Sequence, residues 1–580
     1  MSGKVNGEAL DTKSPSKEAG DIIYWKFGAS KNFDAYHPSS GAIRKVFILV
    51  ALLLSAVVGF IYIIDQFLIR GFCILPIAFA LYYFVFCTIH LWFQCNWTIW
   101  WTTRRGLTFE SRLVALLLRG DAELTLGRNI VVTSRESQIA KLKARLEQSK
   151  AKVSGYRPKI LCVAGYGGGG HEATLNGVRA VMNEAGFWSE VVDIPVGFLL
   201  ETSKNNPLWN LTGVTGEQIY NWGLYRSPLI AYIITWGTSV GQVIGLRIDG
   251  ICGLIGDLLS IDYGDESAKL CERIWKEHQP DMICNFTSGT TEFMIRGLER
   301  AGMTHIPLVT IVSDFEGRPN RKQPWIEDKR QYAVCGTSVC RQQALSFGLP
   351  PNQVFQTSGM ILRPAFYEPQ DDELDLSGKL KKLGLDPERR TCLIFWGGVA
   401  SNRVKEIGMA ITQASEKLNI IFLCGRNLQL AQDLKKIEWP CKVHVEGFTT
   451  RVSYFMKLSD MIVCKPGPGV CSEAALLGVP ILVEWSCFTL PQEVAVCKWV
   501  LLRGLGLGFT NPRQLVWQVD RMCSLLNEPE AKKLLRPLPV VEKGLSGVDL
   551  NPAENVAVFE VPSILQDVLD LYAMKRDASK

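Results

Sequence analysis

The stretch that decides the fold is MIVCKPGPGVCSEAALLGVPILVEWSCFTLPQEVAVCK, residues 461–498. Its pattern predicts a buried strand from Met461 to Cys464, a Gly/Pro turn, a helix from Ser472 to Leu477 and a second apolar strand from Val479 to Val483. A strand, a glycine turn and a helix start, in this order, direct backbone N–H groups at a phosphate. The stretch therefore predicts an anion-binding turn in an α/β domain.

Polar side chains near this turn suit a nucleotide sugar. Glu473 lies in the first turn of the predicted helix, where a carboxylate repels phosphate but accepts hydrogen bonds from a ribose. Gln492 and Glu493 follow the second strand, where an amide and a carboxylate can bind the hydroxyls of a sugar. The alternative is an ordinary Rossmann turn without a ligand, because glycine turns before helices are common in α/β proteins.

Composition bounds the class of protein. A chain of 580 residues is too long for one core, so we expect two or three domains. A net charge of +6 with scattered basic residues argues against nucleic-acid binding and favours contact with anionic lipid. The 17 cysteines are dispersed and form no CxxC pair, which indicates reduced thiols rather than disulfides or a zinc site.

Two uncharged apolar runs, 46–64 and 71–103, are each long enough to cross a bilayer. Basic residues flank the pair, namely Arg44, Lys45, Arg104 and Arg105. The positive-inside rule then predicts a hairpin with both ends in the cytosol. We expect an integral membrane protein whose catalytic domains face the cytosol, at the endoplasmic reticulum or an organelle outer envelope. A re-entrant or in-plane hairpin is the alternative.

The rest of the chain alternates strands with glycine loops and helices, which predicts an α/β fold with two tandem Rossmann-like domains. The predicted segments are a disordered tail (1–40), the transmembrane helical hairpin (41–105), an amphipathic connector (106–157), an N-terminal Rossmann-like domain (158–370), a C-terminal Rossmann-like domain (371–540) and a tail with a closing helix (541–580).

The N-terminal domain opens with a βαβ pattern from Lys159 that contains a second glycine loop. Gly165, Gly167 and Gly170 satisfy G-x-G-x-x-G, so a dinucleotide site is an open alternative, with Glu190 as the ribose acid. His171 directly follows the loop, however, where an imidazole is placed to remove a proton rather than to bind a pyrophosphate.

Short motifs along residues 158–535 resemble a known family. They are Gly168-Gly169-Gly170-His171, Pro207-Leu208-Trp209, Ser313-Asp314, Gly348-Leu349-Pro350, Arg363-Pro364-Ala365-Phe366, Cys424-Gly425-Arg426-Asn427, Gly447-Phe448, Lys465-Pro466-Gly467-Pro468-Gly469, Ser472-Glu473-Ala474 and Pro491-Gln492-Glu493. In this order they resemble the glycosyltransferase family (family 28) that includes plant monogalactosyldiacylglycerol synthase, bacterial processive diacylglycerol glucosyltransferases and, more distantly, MurG. The resemblance implies a GT-B fold.

The resemblance also implies a membrane-associated enzyme that transfers a hexose from a UDP-sugar to a lipid hydroxyl, most directly that of diacylglycerol, with inversion. Three loops depart from the family pattern. The first domain has Gly165-Tyr166-Gly167 before its glycines, the second has only Gly397-Gly398, and the loop after Asp314 lacks the usual histidine. The first two departures affect the donor site and the third affects the acceptor site.

Roles follow for individual residues. We expect His171 to be the general base, with Asp314 as its orienting partner or as a second base. The expected donor contacts are Gly397, Gly398, Arg426, Phe448, Pro466, Gly467, Gly469, Val470, Glu473, Gln492 and Glu493. The expected acceptor or membrane contacts are Gly169, Gly170, Trp209, Trp222 and Trp236. Backbone N–H groups and a helix dipole would neutralise the leaving diphosphate, so we expect neither a metal nor a cofactor.

Two other functions remain open on the sequence. A dinucleotide-dependent membrane oxidoreductase would use the loop at 165–170 and would bind a nicotinamide cofactor instead of UDP. A catalytically silent relative would bind UDP or lipid without transfer, because several loops are altered. The sequence leaves open the hexose, the lipid and the oligomeric state.

Overall fold

A computed structural model describes residues 135–145, 158–165, 169–185, 190–194, 213, 263–315, 325–368, 376–398, 400–486, 489–527 and 550–578. Within them the chain forms two six-stranded parallel sheets, one after the other along the sequence. The predicted tail and hairpin lie outside the described residues. So do Trp209, Trp222 and Trp236, for which acceptor or membrane contact was predicted.

The first domain is built on one of these sheets. Its strands are β1 (Lys159–Val163), β2 (Glu190–Ile194), β3 (Met282–Asn285), β4 (Leu308–Ile311), β5 (Tyr332–Cys335) and β6 (Val354–Gln356). Its helices are α1 (Gly170–Ala185), α2 (Tyr263–His278), α3 (Thr291–Ala301) and α4 (Ser338–Phe347). A further helical segment covers 135–145.

The second domain carries the other sheet. Its strands are β7 (Thr391–Phe395), β8 (Asn419–Leu423), β9 (Val443–Glu446), β10 (Met461–Cys464), β11 (Ile481–Glu484) and β12 (Gly506–Phe509). Its helices are α5 (Leu376–Lys382), α6 (Arg403–Ile411), α7 (Leu428–Lys435), α8 (Val452–Lys457), α9 (Pro468–Leu477), α10 (Val494–Leu502) and α11 (Pro512–Asn527), and the closing helix is α12 (Ala557–Ala578).

The strand order of each sheet fixes where a ligand can bind. The second sheet runs β9-β8-β7-β10-β11-β12, which is the 3-2-1-4-5-6 order of a Rossmann domain. The first runs β2-β1-β3-β4-β5-β6. The order reverses beside β1 and β3 in the first sheet and beside β7 and β10 in the second. Ligands of open α/β sheets bind outside the carboxyl ends of the strands at such switch points.

The strands are apolar runs because both faces of a parallel sheet are covered by helices. Every residue of Met461–Cys464 and of Asn419–Leu423 is buried. The predicted α/β class with two tandem Rossmann-like domains is therefore confirmed. The strand predicted from Met461 to Cys464 matches β10, and the strand predicted from Val479 to Val483 corresponds to β11 (Ile481–Glu484).

One local prediction is wrong. Helix α9 begins at Pro468, four residues before the predicted start at Ser472. Proline is favoured at the first helical position for two reasons. Its fixed φ suits the helix, and a backbone N–H at this position would have no acceptor within the helix, so its absence costs nothing. Gly467 is the N-cap, with φ −71° and ψ 134°. Glu473 consequently lies in the second turn of the helix and not in the first.

Apolar contacts hold the two domains together. Phe315, in the loop after β4, packs edge-on against Trp499 of α10, with ring centroids 5.2 Å apart. Both side chains are buried in a cluster that also contains Val470 of α9. The closing helix α12 packs on the first domain, where Val561 and its neighbours share a cluster with the strands of the first sheet.

The localisation predicted from the sequence needs correction. Across the part of the chain that the structure describes, no helix combines the length and the apolar composition that crossing a bilayer requires. An integral membrane protein with cytosol-facing catalytic domains is therefore not supported. The two predicted spans, 46–64 and 71–103, fall outside the described residues.

A tight helix pair in the first domain generates a stability prediction. A Cβ atom at Gly297 of α3 would lie 2.4 Å from Cβ of Cys271 on α2, well inside van der Waals contact. We expect Gly297→Ala to lower the free energy of unfolding by about 1–3 kcal/mol, because the helices must separate. Denaturant unfolding measures the effect. Glu292→Ala, at an exposed position of the same helix, is the control and should change stability little.

Candidate functional site

The glycine loops of the two domains touch. A Cβ atom on Gly169, which precedes α1, would lie 3.2 Å from Cα of Gly398, which follows β7. The reverse substitution would bring a Cβ on Gly398 to 3.3 Å from Cα of Gly169. Both distances are shorter than those of most Cβ contacts in proteins. The switch points of both sheets therefore face one shared cleft.

An ion pair crosses this cleft next to the glycines. Nη2 of Arg426, after β8, donates to both carboxylate oxygens of Glu172 in the first turn of α1, at 2.9 Å each. The guanidinium also lies over the ring of Phe448, 4.5 Å from its centroid. Phe448 is 55% exposed. The pair is partly exposed, so it contributes at most about 1 kcal/mol to stability and serves mainly to orient Arg426.

His171 stands in the first turn of α1, on the first domain's side of the cleft. Its Nδ1 is 3.1 Å from the hydroxyl oxygen of Ser313, in the loop after β4. The imidazole packs against the indole of Trp325, with ring centroids 5.3 Å apart. Trp325 in turn donates from Nε1 to Asp314 at 3.0 Å. The predicted base and its predicted acidic partner are thus joined by one network.

The protonation state of His171 follows from this environment. Burial lowers the pKa of His171 below its ordinary value, because a buried imidazolium loses its hydration. The negative charge of Asp314 and a hydrogen bond with the Phe286 backbone oppose this and raise the pKa in part. The net shift is downward, so the imidazole is neutral at neutral pH and able to accept a proton.

The second domain offers a phosphate-binding turn. Helix α9 begins at the Pro466-to-Gly469 turn, and its N-cap residue, Gly467, has no side chain that could bond the first backbone N–H groups. Gly469 and Val470 lie in the first turn, where backbone N–H groups have no acceptor within the helix. Gly397 faces this turn from the end of β7 with φ +88°, a left-handed conformation that favours glycine. The sequence elements predicted to bind a diphosphate are therefore brought together.

Glu473 is buried and paired, which the sequence did not reveal. Nη2 of Arg363, in the segment after β6, donates to Oε1 of Glu473 at 3.3 Å. Burial raises the pKa of Glu473, and the positive charge of Arg363 opposes that shift. The carboxylate predicted to bind a ribose is therefore held by a cation from the segment after β6.

Lys465 lies in the candidate site, but no role was predicted for it from the sequence. It follows β10, and its Nζ donates to Oε1 of Glu493 at 2.7 Å. Glu493 is 6% exposed and closes the 3-10 turn that begins at Pro491, while Gln492 beside it is partly buried. The available signal was a lysine at the end of a buried strand, directly before the glycine turn.

The architecture defines a class: two Rossmann-like domains whose switch points face one cleft form a GT-B fold. No family model matches the chain. The chain is nevertheless similar in sequence to the monogalactosyldiacylglycerol synthases. It is 24% identical to the chloroplastic synthase of Spinacia oleracea over 388 residues, which cover 65% of this chain and 69% of that protein. The predicted family resemblance is confirmed, and the predicted enzyme class, a UDP-sugar-dependent hexosyltransferase, agrees with it.

Other monogalactosyldiacylglycerol synthases match the chain at similar identity. Chloroplastic synthase 1 of Arabidopsis thaliana is 23% identical over 368 residues, 62% of this chain and 64% of the relative. A probable chloroplastic synthase 2 of Oryza sativa subsp. indica is 26% identical over 366 residues, 61% and 71% of the two chains. The chain thus spans about two thirds of the length of the curated relatives it matches.

Solved structures are also similar. A glycosyltransferase from Rickettsia africae aligns with a TM-score of 0.40 and 11% identity over 72% of this chain and 99% of that chain. Acinetobacter baumannii MurG aligns with a TM-score of 0.39 and 14% identity over 71% and 99% of the two chains.

The network around His171 generates a titration prediction. Asp314→Asn should lower the pKa of His171 further, because it removes the negative charge that favours imidazolium. The asparagine side chain retains an oxygen that can accept from Trp325. The measurement is a histidine NMR titration, feasible with six histidines, in which His171→Ala assigns the signal. An unchanged or raised pKa in Asp314→Asn would contradict the electrostatic account.

Proposed function

We propose that the chain transfers a hexose from a UDP-sugar to a lipid hydroxyl, most directly that of diacylglycerol, with inversion at the anomeric carbon. One observation carries the proposal. The loop that leads to a neutral, partly buried histidine lies in contact with the glycine loop of a Rossmann domain, through Gly169 and Gly398. A base and an anion-binding loop on opposite sides of one cleft suit displacement of a diphosphate by an alcohol.

The donor's parts fall on different elements of the second domain. The diphosphate lies against the start of α9, where the N–H groups of Gly469 and Val470 and the helix dipole favour negative charge. Arg426 adds a cation, and Phe448 lies beside the uracil. The ribose hydroxyls contact Glu473, and the hexose hydroxyls contact Gln492 and Glu493.

The chemistry balances with the residues at hand. The lipid oxygen forms a bond to the anomeric carbon as the bond from that carbon to the diphosphate breaks. The lipid proton passes to His171, and UDP leaves with the negative charge. The α-linked donor thus gives a β-glycoside. A positioned base of this kind contributes about 100- to 10,000-fold in rate.

The dinucleotide alternative loses support at the first glycine loop. A pyrophosphate would need the space beside Gly169, where the backbone of Gly398 lies. Glu172 would also bring a carboxylate toward it from the first turn of α1. Both features disfavour an anion at this loop, whereas the corresponding turn at α9 carries no acid in its first turn.

A silent UDP-binding relative is the second candidate function. Three groups expected to contact the donor are already paired within the protein: Arg426 with Glu172, Glu473 with Arg363, and Glu493 with Lys465. A donor must exchange or share these partners before transfer. A chain in which these pairs are neither exchanged nor shared would bind UDP without transfer.

Product analysis tests the proposed function. The purified protein is incubated with diacylglycerol vesicles and radiolabelled UDP-galactose or UDP-glucose, and the lipid product is identified. We expect a β-hexosyl lipid, and we expect His171→Ala to lose at least about 100-fold in rate while still binding UDP. UDP binding without any labelled lipid would favour the silent relative. Near-normal turnover by His171→Ala would refute the base assignment.

A second prediction tests the ribose contact. Glu473→Gln should raise the donor KM about tenfold or more, at least as clearly as it lowers kcat, because it removes a charged hydrogen-bond acceptor. Steady-state kinetics with varied UDP-hexose measure the split. The control is Glu416→Gln, which removes a carboxylate paired with Arg390 just before β7, at the other end of the strands. An unchanged KM in Glu473→Gln would argue against the ribose role.

A further inference from the structure

A partly buried ion pair stands at the switch point of the second sheet. Lys465 directly follows β10, and Glu493 lies in the turn that follows β11. Lys465 Nζ is 2.7 Å from Glu493 Oε1, and the side chain of Glu493 is almost completely buried. β10 and β11 are neighbours in the sheet, so the pair links two adjacent loops at the carboxyl edge.

The lysine stem lies between the two glycine loops of this domain. A Cβ atom on Gly397 would be 3.5 Å from Lys465 Cε, and one on Gly467 would be 3.9 Å from the same atom. Lys465 therefore passes between the loop after β7 and the turn that begins α9. These are the loops to which the proposed function assigns the donor diphosphate.

A lysine in this position is suited to a phosphate. An ammonium group is a compact point charge with three N–H donors, so it can bind a carboxylate and a phosphate oxygen together. An ion pair removed from water contributes little net stability, because the desolvation of the two charges offsets most of their attraction. A cation between two anion-binding glycine loops has a stronger physical reason to be there.

We propose that Lys465 is a donor-binding residue that contacts the diphosphate and stabilises its charge as UDP leaves, and that Glu493 positions it. The inference rests on the proposed function. Glu493 uses Oε1 for Lys465, which leaves Oε2 for a hexose hydroxyl. The pair therefore joins the leaving group to the sugar that is transferred.

Ligand binding separates this role from a structural one. The affinities of uridine, UMP and UDP are measured by calorimetry or competition for the wild type and Lys465→Met, whose side chain keeps the stem but lacks the charge. We expect the affinity for UDP to fall about tenfold to 100-fold, because a charge-assisted hydrogen bond to phosphate is lost. The affinity for uridine should stay within about twofold, because uridine has no phosphate.

A double variant removes the main ambiguity. In Lys465→Met the Glu493 carboxylate is left uncompensated and could itself repel a phosphate. Lys465→Met/Glu493→Gln removes both charges. If Lys465 binds the diphosphate directly, the double variant still binds UDP weakly. If the bare carboxylate causes the loss, the double variant regains UDP affinity and the proposal is wrong.

A matched control comes from the first domain. Lys276 also pairs with a glutamate, Glu272, at 2.7 Å, but on the exposed surface of α2. Lys276→Met should leave the affinities for uridine and UDP unchanged. Unchanged UDP affinity in Lys465→Met would overturn the Lys465 proposal alone, as would equal losses for uridine and UDP. Failure of the wild type to bind UDP would overturn the proposed function and this inference with it.

Discussion

The close approach of Gly169 and Gly398 is the contact on which the site depends. A Cβ atom on either residue would lie within 3.2–3.3 Å of the Cα atom of the other, so the two loops meet here as bare backbone. The contact holds the start of α1 against the end of β7. Through it, a histidine from one Rossmann-like domain shares a cleft with the anion-binding turn of the other. A side chain at either glycine would require the two loops to shift apart by a few tenths of an ångström.

The charged side chains of the cleft are paired with opposite charges within the protein. Every charged residue that was predicted to contact the donor forms an ion pair within the protein. In two of these pairs, Arg363 with Glu473 and Glu172 with Arg426, the partners lie far apart in the sequence. Buried or half-buried charges are costly unless they are paired. A UDP-sugar brings two phosphates and many hydroxyls, so it can replace or share these partners. The binding free energy of the donor is then the difference between two sets of contacts.

The sequence predicted the parts of the site that arise locally, and it failed where distant elements meet. The turn at Pro466 to Gly469 follows from neighbouring residues and was predicted, although the helix start was misplaced because Pro468 was treated as turn rather than as the first helical residue. The partners of Glu473 and Glu493 come from other loops, so no local pattern reveals them. Lys465 was visible but lacked a stated role until its carboxylate partner was located.

The proposed base and the proposed diphosphate-binding groups belong to different domains, which bears on the stereochemistry of the proposed reaction. Inversion in one step requires the nucleophile and the leaving group on opposite sides of the anomeric carbon. His171 belongs to α1 of the first domain, whereas the start of α9 and Lys465 belong to the second, with the hexose expected between them. Retention by double displacement would need a carboxylate free to attack that carbon. Glu473 and Glu493, the acids expected nearest the donor, are instead held by cations, which lowers their nucleophilicity. Single displacement therefore suits the charge distribution better.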